Sequence, residues 1–378
     1  MKRSSYLFVV LAFMFLIDTV SAAEPIKLGM VLSVTGRLGF FGEPMKKAAE
    51  ATVSDINRRG GVLGRPVELF IEDDQSSPMT AVIAATKLIR DLKVAAIIGP
   101  TGSDAGMSMI PLCEQEQIPF LVIAPVTSPF RKWVFMPLPE DIKMTESVLT
   151  AALSLGAKKM AILNDTGRFG MNGYKNLSEL LKQHPEISVI HESFETSDAN
   201  MIPQLSKIRS ANPDLLILYS TGAPAAVVAK NYKQLGMNIP VLCSHGIATR
   251  EFLNLAGKIA EESKWTMVDG IMLVADKLPS GDPRRKACED FVKFVEDNGL
   301  PQKNFLQVSL SYDGIRLILE AIRNSGTDDR NSIRSALEKI KYQMTIGKIE
   351  CSESNHQCMP KDQSVMMAVR NGELFPIK

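Results

Sequence analysis

Short apolar runs alternate with longer amphipathic stretches through the first third of the chain. The runs have the length and composition of buried strands, and the stretches repeat their apolar residues at helical spacing. Strands are predicted over 26–34, 67–73, 95–98 and 120–124, and helices over 44–57, over 79–92 and from about 104. Strands and helices that alternate in this way predict a parallel sheet with helices on both faces.

A second series of the same kind follows the break MPLPED. It contains a helix over 144–155 and strands over 158–164, 187–194, 214–219, 239–243 and 268–274. After the break DKLPSGDP, helices are predicted over 284–298, 305–324 and 329–340, and extended segments over 346–350 and 363–370. The breaks indicate three crossings between two lobes, so each lobe is discontinuous in sequence.

The predicted fold class is therefore α/β, with two doubly wound parallel-sheet lobes joined by three crossover hinges. Residues 24–139 and 275–345 are assigned to lobe one, and residues 140–274 and 346–378 to lobe two. A chain of 378 residues is too long for one ordinary core, which agrees with two domains.

Two hydroxyl-rich turns follow successive strands of lobe one. The first contains Thr101 and Ser103, with Ser103 at the N-cap position of the next helix, and the second contains Val126 and Thr127. Both turns lie at strand carboxyl ends, the edge at which open α/β sheets bind ligands. Hydroxyl groups and free N–H groups at a helix start suit a carboxylate or another small anion. The alternative is that Ser103 only caps its helix and Thr127 only shapes its turn.

Each lobe also has a phenylalanine in a glycine-rich turn after its first strand. Phe41 lies in the sequence GFFG of lobe one, and Phe169 lies in GRFG of lobe two. On opposite walls of one cleft, the two rings would hold the apolar body of a ligand between them. The alternative is that each ring packs beneath its own turn.

Composition and motifs disfavour several classes of protein. A hydrophobic content of 45% with 22% charged residues is typical of a soluble globular protein. The four histidines and five cysteines lack zinc-ligand spacing, and no glycine-rich nucleotide loop is present, so neither a metal nor a cofactor is predicted. The turn GPTGSDAG departs from the serine elbow and has no recognisable base, so we do not predict an enzyme.

The N-terminus has the layout of a secretory signal peptide over residues 1–22. Lys2 and Arg3 precede an apolar stretch from Tyr6 to Ile17, and the sequence VSA supplies small residues before the cleavage site. No cysteine lies directly after the apolar stretch, at the start of the mature chain, so a lipid anchor is not predicted. Cleavage would remove two basic residues and one acidic residue and take the formal net charge from +1 to 0. A neutral protein gives no support to binding of nucleic acid or anionic membranes.

Export would place the cysteines in an oxidising compartment. Cys351 and Cys358 close a short polar loop and are the predicted disulfide. Cys113 in a helical run and Cys243 at a strand end are interpreted as small buried hydrophobic residues.

From about Ile26 to its C-terminus, the chain resembles the periplasmic solute-binding proteins of the leucine/isoleucine/valine-binding family, type I two-lobe proteins that feed ABC importers. The similar segments include IKLGMVLSVTGRLGFFG, IIGPTGSDAG, APVTSP, ILNDTGRFG and SYDGIRLILEAI. The most specific one is GGVLGRPVELFIEDDQ at residues 60–75.

The resemblance implies a set of ligand-binding positions. The family holds the ligand carboxylate with the serine after the G-P turn and with groups of the P-x-T-S-P turn, which match Ser103, Val126 and Thr127. Its two aromatic positions match the phenylalanines named above, and a position after the strand LLILYS matches Thr221.

One position departs from the family pattern. The amino-acid binders of the family use an acidic side chain to hold the ligand ammonium, and the matching residue here is His245. An ammonium facing an imidazole would lose a charge-assisted hydrogen bond of about 1.5–3 kcal/mol. The substitution favours an amine-free aromatic or branched carboxylate, with a branched-chain amino acid as the next choice.

The resemblance thus implies a monomeric periplasmic binding protein of an ABC importer, which captures a small carboxylate by lobe closure and passes it to an inner-membrane permease. An alternative is a ligand-sensing receptor module of the same fold, which would need a separate signalling partner.

Overall fold

A computed structural model describes residues 23–124, 126, 128–138, 141–268, 274–300, 305–358 and 364–377. The predicted signal peptide lies outside these residues. None of the described helices is long and apolar enough to cross a membrane.

The first lobe is built on a five-stranded parallel sheet in the order β2-β1-β3-β4-β5. Its strands are β1 (Ile26–Leu32), β2 (Val67–Asp73), β3 (Ala96–Gly99), β4 (Phe120–Val122) and β5 (Val134–Phe135). The helices between them are α1 (Gly39–Arg58), α2 (Pro78–Arg90) and α3 (Ser103–Gln115).

The second lobe is built on a seven-stranded sheet in the order β14-β13-β10-β9-β8-β6-β7. Its parallel strands are β6 (Lys159–Asp165), β7 (Ser188–Phe194), β8 (Leu215–Tyr219), β9 (Val241–Cys243) and β10 (Thr266–Val268). The antiparallel strands β13 (Met366–Arg370) and β14 (Glu373–Pro376) complete one edge. The helices are α4 (Asp141–Ser154), α5 (Arg168–Leu181), α6 (Ile202–Ala211), α7 (Gly222–Gln234) and α8 (Arg250–Glu262), and 3-10 turns lie at His245–Ile247 and Ala275–Lys277.

The remaining elements return to the first lobe. They are α9 (Pro283–Asp297), α10 (Phe305–Ser325), α11 (Arg330–Leu337) and a hairpin of β11 (Lys341–Met344) and β12 (Gly347–Glu350). Helix α10 packs along α1 and takes part in the same core.

Both sheets are buried on two faces. In β1, Leu28 and Met30 belong to the core shared with α10, whereas Val31 belongs to a core shared with α2 and α3. In β6, Leu163 and Ile162 likewise belong to different cores. Because successive strand side chains point to opposite faces, helices cover both sides of each sheet. The predicted α/β fold with two doubly wound lobes is confirmed.

The chain passes between the cores of the two lobes three times, between residues 138 and 148, 278 and 291, and 358 and 365. The predicted lobe boundaries differ from these at two places. Leu278 packs in a core of lobe two, and residues 346–358, assigned to lobe two from the sequence, pack on lobe one. The reason is that Ile349 and Cys358 bury their side chains beside α10 and α11.

The predicted disulfide between Cys351 and Cys358 is confirmed. The other three cysteines are free and buried: Cys113, Cys243 and Cys288. Burial raises the pKa of the Cys113 and Cys243 thiols far above the usual range, so both are interpreted as inert parts of the core.

Candidate functional site

The carboxyl edges of the two sheets face each other. Helix α3 begins at the carboxyl edge of lobe one, after β3, and α5 begins at the carboxyl edge of lobe two, after β6. Asp104 in the first turn of α3 and Arg168 at the start of α5 form an ion pair, with 3.3 Å between Asp104 Oδ1 and Arg168 Nη1. Arg37 Nη2 lies 3.5 Å from the other oxygen of Asp104. These three exposed side chains connect the two lobes where the starts of α3 and α5 meet.

Thr101 and Ser103 have different surroundings. The Thr101 hydroxyl accepts a hydrogen bond from the Ser33 N–H at 3.0 Å and so ties the end of β1 to the turn after β3. Ser103 is the first residue of α3, and Gly102 is the N-cap, so the predicted capping position of Ser103 is wrong. The Ser103 hydroxyl forms no hydrogen bond to another described residue. It stands beside the N–H groups of the first helical turn, which lack partners inside the helix.

The second turn is only partly described. Val126 is buried, and its side chain packs against Gly106 of α3. Packing on α3 fixes the Val126 backbone close to the helix start. Thr127 lies outside the described residues, so its predicted role stays a prediction.

The loop after β1 is held by a carboxylate. Asp73 accepts hydrogen bonds from the Val34 N–H at 2.9 Å and from the Thr35 hydroxyl at 2.6 Å. Burial would raise the pKa of Asp73, but these bonds and one from Gln75 lower it overall, so the carboxylate is ionised at neutral pH. The loop therefore leads into α1 in one fixed arrangement.

Phe41 lies in the first turn of α1 and is half-buried. The helix begins at Gly39, five residues earlier than predicted, so the glycine-rich segment is helical. Phe40 is 61% exposed, and its ring centroid lies 3.9 Å from that of Phe41. The first lobe thus presents a pair of rings where one was predicted.

The second lobe presents an aromatic wall formed by Phe169, Tyr219 and His245. The Phe169 centroid lies 5.0 Å from that of Tyr219 and 4.9 Å from that of His245, and the imidazole meets Phe169 edge-on. Edge-to-face and tilted contacts at these distances are favourable between rings. A Cβ on Gly246 would lie 2.6 Å from Phe169, so glycine is required there to seat the ring.

Tyr219 and Thr145 are parts of this wall that the sequence did not reveal. Both are buried, and their hydroxyl oxygens lie 3.1 Å apart. Gly173 seats the tyrosine, because a Cβ there would lie 2.1 Å from the ring. Tyr219 ends a predicted strand, and this position at the carboxyl edge of the sheet could have marked it as a site residue. Thr145 lies within an amphipathic helix and gave none.

Asp165, a carboxylate four residues before Phe169 of the wall, is occupied by hydrogen bonds within lobe two. Asp165 is buried, and it accepts hydrogen bonds from the Ser220 hydroxyl at 2.6 Å and from the Gly167 N–H at 2.9 Å. These bonds join the carboxyl ends of β6 and β8. Asp165 is therefore a structural group that sets the shape of the wall.

Thr221 is the N-cap of α7 and is exposed, and its side chain accepts no capping hydrogen bond. Beside it, Glu251 in the first turn of α8 approaches the start of α7. Glu251 Oε2 lies 3.0 Å from the place that a Cβ on Gly222 would occupy. This carboxylate at the same sheet edge was not predicted.

A cavity of about 1040 Å³ lies at the opposite, amino-terminal end of the lobe-one strands. Part of its charged lining is paired within the protein: Arg65 binds Asp328 in two hydrogen bonds, and Arg330 donates to the Val94 carbonyl oxygen. The cavity therefore lies at the end of lobe one opposite to the contact between Asp104 and Arg168.

Comparison with known proteins agrees with this geometry. A model of a family described as "Periplasmic binding protein" matches residues 25–373. A Leu/Ile/Val-binding protein homolog of Brucella melitensis is 23% identical over 90% of this chain and 90% of its own.

Solved structures extend the likeness to the fold. An extracellular ligand-binding receptor from Rhodopseudomonas palustris HaA2 superposes with a TM-score of 0.74 at 26% identity, over 93% of this chain and 99% of that one. A branched-chain amino acid transporter substrate-binding protein of Streptococcus pneumoniae, solved with isoleucine, gives a TM-score of 0.69 at 19% identity, over 94% and 99%.

Proposed function

We propose that this chain, which belongs to the periplasmic binding protein family, captures a small carboxylate between its lobes and passes it to an inner-membrane ABC permease. The observation that carries the proposal is the Asp104–Arg168 contact, because it brings the start of α3 opposite α5, the helix that bears Phe169 of the aromatic wall. Binding and release would need no covalent step. Export through the predicted signal peptide would place the protein in the periplasm as a monomer.

Lobe one would bind the carboxylate of the ligand. Ser103 and the first N–H groups of α3 supply donors, and the positive end of the helix dipole favours an anion. The Val126 backbone and Thr127 would complete the set. Thr101 would act mainly by fixing the turn, since its hydroxyl already accepts from Ser33. Lobe closure excludes water, which strengthens these hydrogen bonds.

Lobe two would select the ligand body. Phe169 would offer an apolar face, supported from behind by the buried Tyr219 ring, and Phe41 would cover the other side when the lobes close. His245 stands in the wall, at the position where the resemblance implies an acidic residue in amino-acid binders. An amine-free aromatic or branched acid would satisfy this wall without a buried ammonium left unpaired.

A branched-chain amino acid is the second candidate ligand. The name of the Brucella relative and the isoleucine in the Streptococcus structure support it. Glu251 at the start of α8 would then be the group that accepts the ammonium. A sensing module of the same fold would use the same cleft with a different partner.

A thermal-shift screen of the purified mature protein tests the proposal. The panel contains 3-phenylpropionate and 4-methylvalerate as amine-free acids, and L-phenylalanine and L-leucine as their amino-acid counterparts. A ligand that binds only the folded state raises the melting temperature. At a ligand concentration of one hundred times its Kd, it adds about 2.7 kcal/mol to the free energy of unfolding. We expect a shift with the amine-free acids. A shift with L-leucine alone would favour the second candidate.

A further inference from the structure

The disulfide-closed loop 351–358 extends the edge of the first sheet beyond β5. The Met136 N–H donates to the His356 carbonyl oxygen at 2.8 Å, and the Cys358 N–H donates to the Met136 carbonyl oxygen at 3.1 Å. Met136 and Gln357 form a parallel bridge. The loop is therefore paired with the chain that leads out of the second hydroxyl-rich turn. We call Val126 and residues 128–136 the turn segment.

His356 is the part of the loop that enters the protein. The residue is 2% exposed, and its ring stacks on Phe135 with centroids 4.0 Å apart. Nδ1 lies 3.2 Å from the Val134 carbonyl oxygen, which can only accept, so Nδ1 carries the hydrogen. Phe130 contacts the same ring at 4.8 Å. One imidazole thus contacts three residues of the turn segment.

Two further contacts hold the turn segment from other sides. Glu114 of α3 accepts hydrogen bonds from the Lys132 and Trp133 N–H groups at 3.3 and 2.5 Å. On α11, Arg334 lies over the Trp133 ring and pairs with Glu338.

Glu338 also lies close to the loop, with its Oε1 3.4 Å from His356 Nε2. Burial lowers the pKa of His356 more than the Glu338 carboxylate raises it, so the ring is neutral at pH 7. A neutral buried ring needs no counter-charge and serves as a fixed donor.

We propose that His356, held by the Cys351–Cys358 disulfide, is a positioning residue that fixes the turn segment against the start of α3. The effect on ligand affinity rests on the proposed function, because Val126 belongs to a ligand site only if that function is right. The order of the turn segment itself can be measured without any ligand.

Three variants test the imidazole ring, its hydrogen bond and the disulfide separately. His356→Phe keeps a ring but removes the donor to Val134, and His356→Gln keeps a donor. Cys351→Ala combined with Cys358→Ala opens the loop without touching the imidazole. His184→Ala is the matched control, since His184 pairs with Glu186 on the surface of lobe two.

Hydrogen–deuterium exchange of the ligand-free full chain is the first measurement. We expect exchange in residues 130–136 to rise about tenfold in His356→Phe and in the opened loop, with β8 unchanged, because the local opening is confined to lobe one. His356→Gln should recover part of the protection, and His184→Ala should match the parent protein. Parent-like exchange in both the His356→Phe and opened-loop variants would overturn the proposal.

Calorimetry with 3-phenylpropionate and L-leucine is the second measurement. For whichever probe the parent binds, we expect an affinity about tenfold weaker in His356→Phe and in the opened loop. Raised exchange with parent-like affinity would overturn the positioning role. If the parent binds neither probe, the proposed ligand class is wrong. The hydrogen–deuterium exchange result then decides by itself whether His356 fixes the turn segment.

Discussion

Ser103 and Thr101 both carry a hydroxyl at the carboxyl edge of lobe one, yet their hydrogen bonds differ. Thr101 is occupied by the Ser33 N–H, and Ser103 has no described partner. A ligand carboxylate would therefore gain a hydrogen bond from Ser103 without breaking one inside the protein. Thr101 contributes by keeping the turn in place.

We predict that Ser103→Ala weakens carboxylate binding without changing the melting temperature of the free protein. Loss of one hydrogen bond to a charged group costs about 1.5–3 kcal/mol, or roughly a 10- to 150-fold higher Kd. Calorimetric titration measures the change. Ser210→Ala, an exposed serine near the end of α6, is the control and should bind as the parent does. An unchanged Kd in Ser103→Ala would remove Ser103 from the site.

In the proposed function, His245 would set the choice between acids and amino acids. We predict that His245→Glu gains about tenfold or more in affinity for L-leucine and loses affinity for 3-phenylpropionate, because a carboxylate attracts the ammonium and repels an anion. Calorimetric titration with both compounds measures the change in the two Kd values. His184→Glu, at a surface site, should change neither. A variant that still prefers the amine-free acid would mean that another group governs selectivity.

Residue roles could be predicted only where the residue type restricts its surroundings. The pair Cys351 and Cys358 followed from spacing and export. Phe169 packs on Tyr219 and His245, and its role in ligand binding stays a prediction. Which nitrogen, ring or hydroxyl meets which partner depends on three-dimensional packing. The contact between Thr145 and Tyr219 is of this kind, since the two residues are 74 positions apart.

At the scale of elements, periodicity predicted the long helices and buried strands but not the short pieces. β5 has two residues and follows a segment rich in proline and basic residues, so no strand pattern can form there. β12 was placed in the wrong lobe, because an extended segment does not reveal which sheet or hairpin will pair with it. Pairing is decided by burial of Ile349 and Cys358.

Helix α10 and the hairpin are joined by a buried acid that should make stability depend on pH. Asp313 accepts hydrogen bonds from the Thr345 N–H at 2.8 Å and the Thr345 hydroxyl at 2.6 Å. Burial raises the pKa of Asp313 to about 7, against about 3.9 in an unfolded chain. Between these values the folded protein holds a proton that the unfolded chain has lost. This stabilisation is complete below about pH 4 and is lost as the pH rises towards 7.

We predict that Asp313→Asn removes this dependence. The amide oxygen can accept the same hydrogen bonds but does not titrate. From pH 5 to pH 8, the melting temperature of the parent should fall relative to that of the variant. Thermal melts across this range measure the difference. Parallel curves would show that Asp313 has no raised pKa.

At the scale of the whole molecule, the alternation of strands and helices was enough to predict two lobes and three crossings. The contact between the lobes could not be predicted, because Asp104 and Arg168 are 64 positions apart and lie on helices of different lobes. Their contact connects the two lobes and, with Arg37, places one carboxylate between two guanidinium groups. A site formed by two lobes requires each to supply a complementary part, the donors from one and the aromatic wall from the other.

The central claim is that the cleft recognises a carboxylate on an apolar body. Calorimetric titration of the mature protein with 3-phenylpropionate and with 3-phenylpropanol, which has a hydroxyl group in place of the carboxylate, tests it directly. We predict one binding site per chain and an acid that binds at least about tenfold more tightly than the alcohol, as loss of charge-assisted hydrogen bonds requires. Equal affinities, or binding of neither compound, would contradict the account.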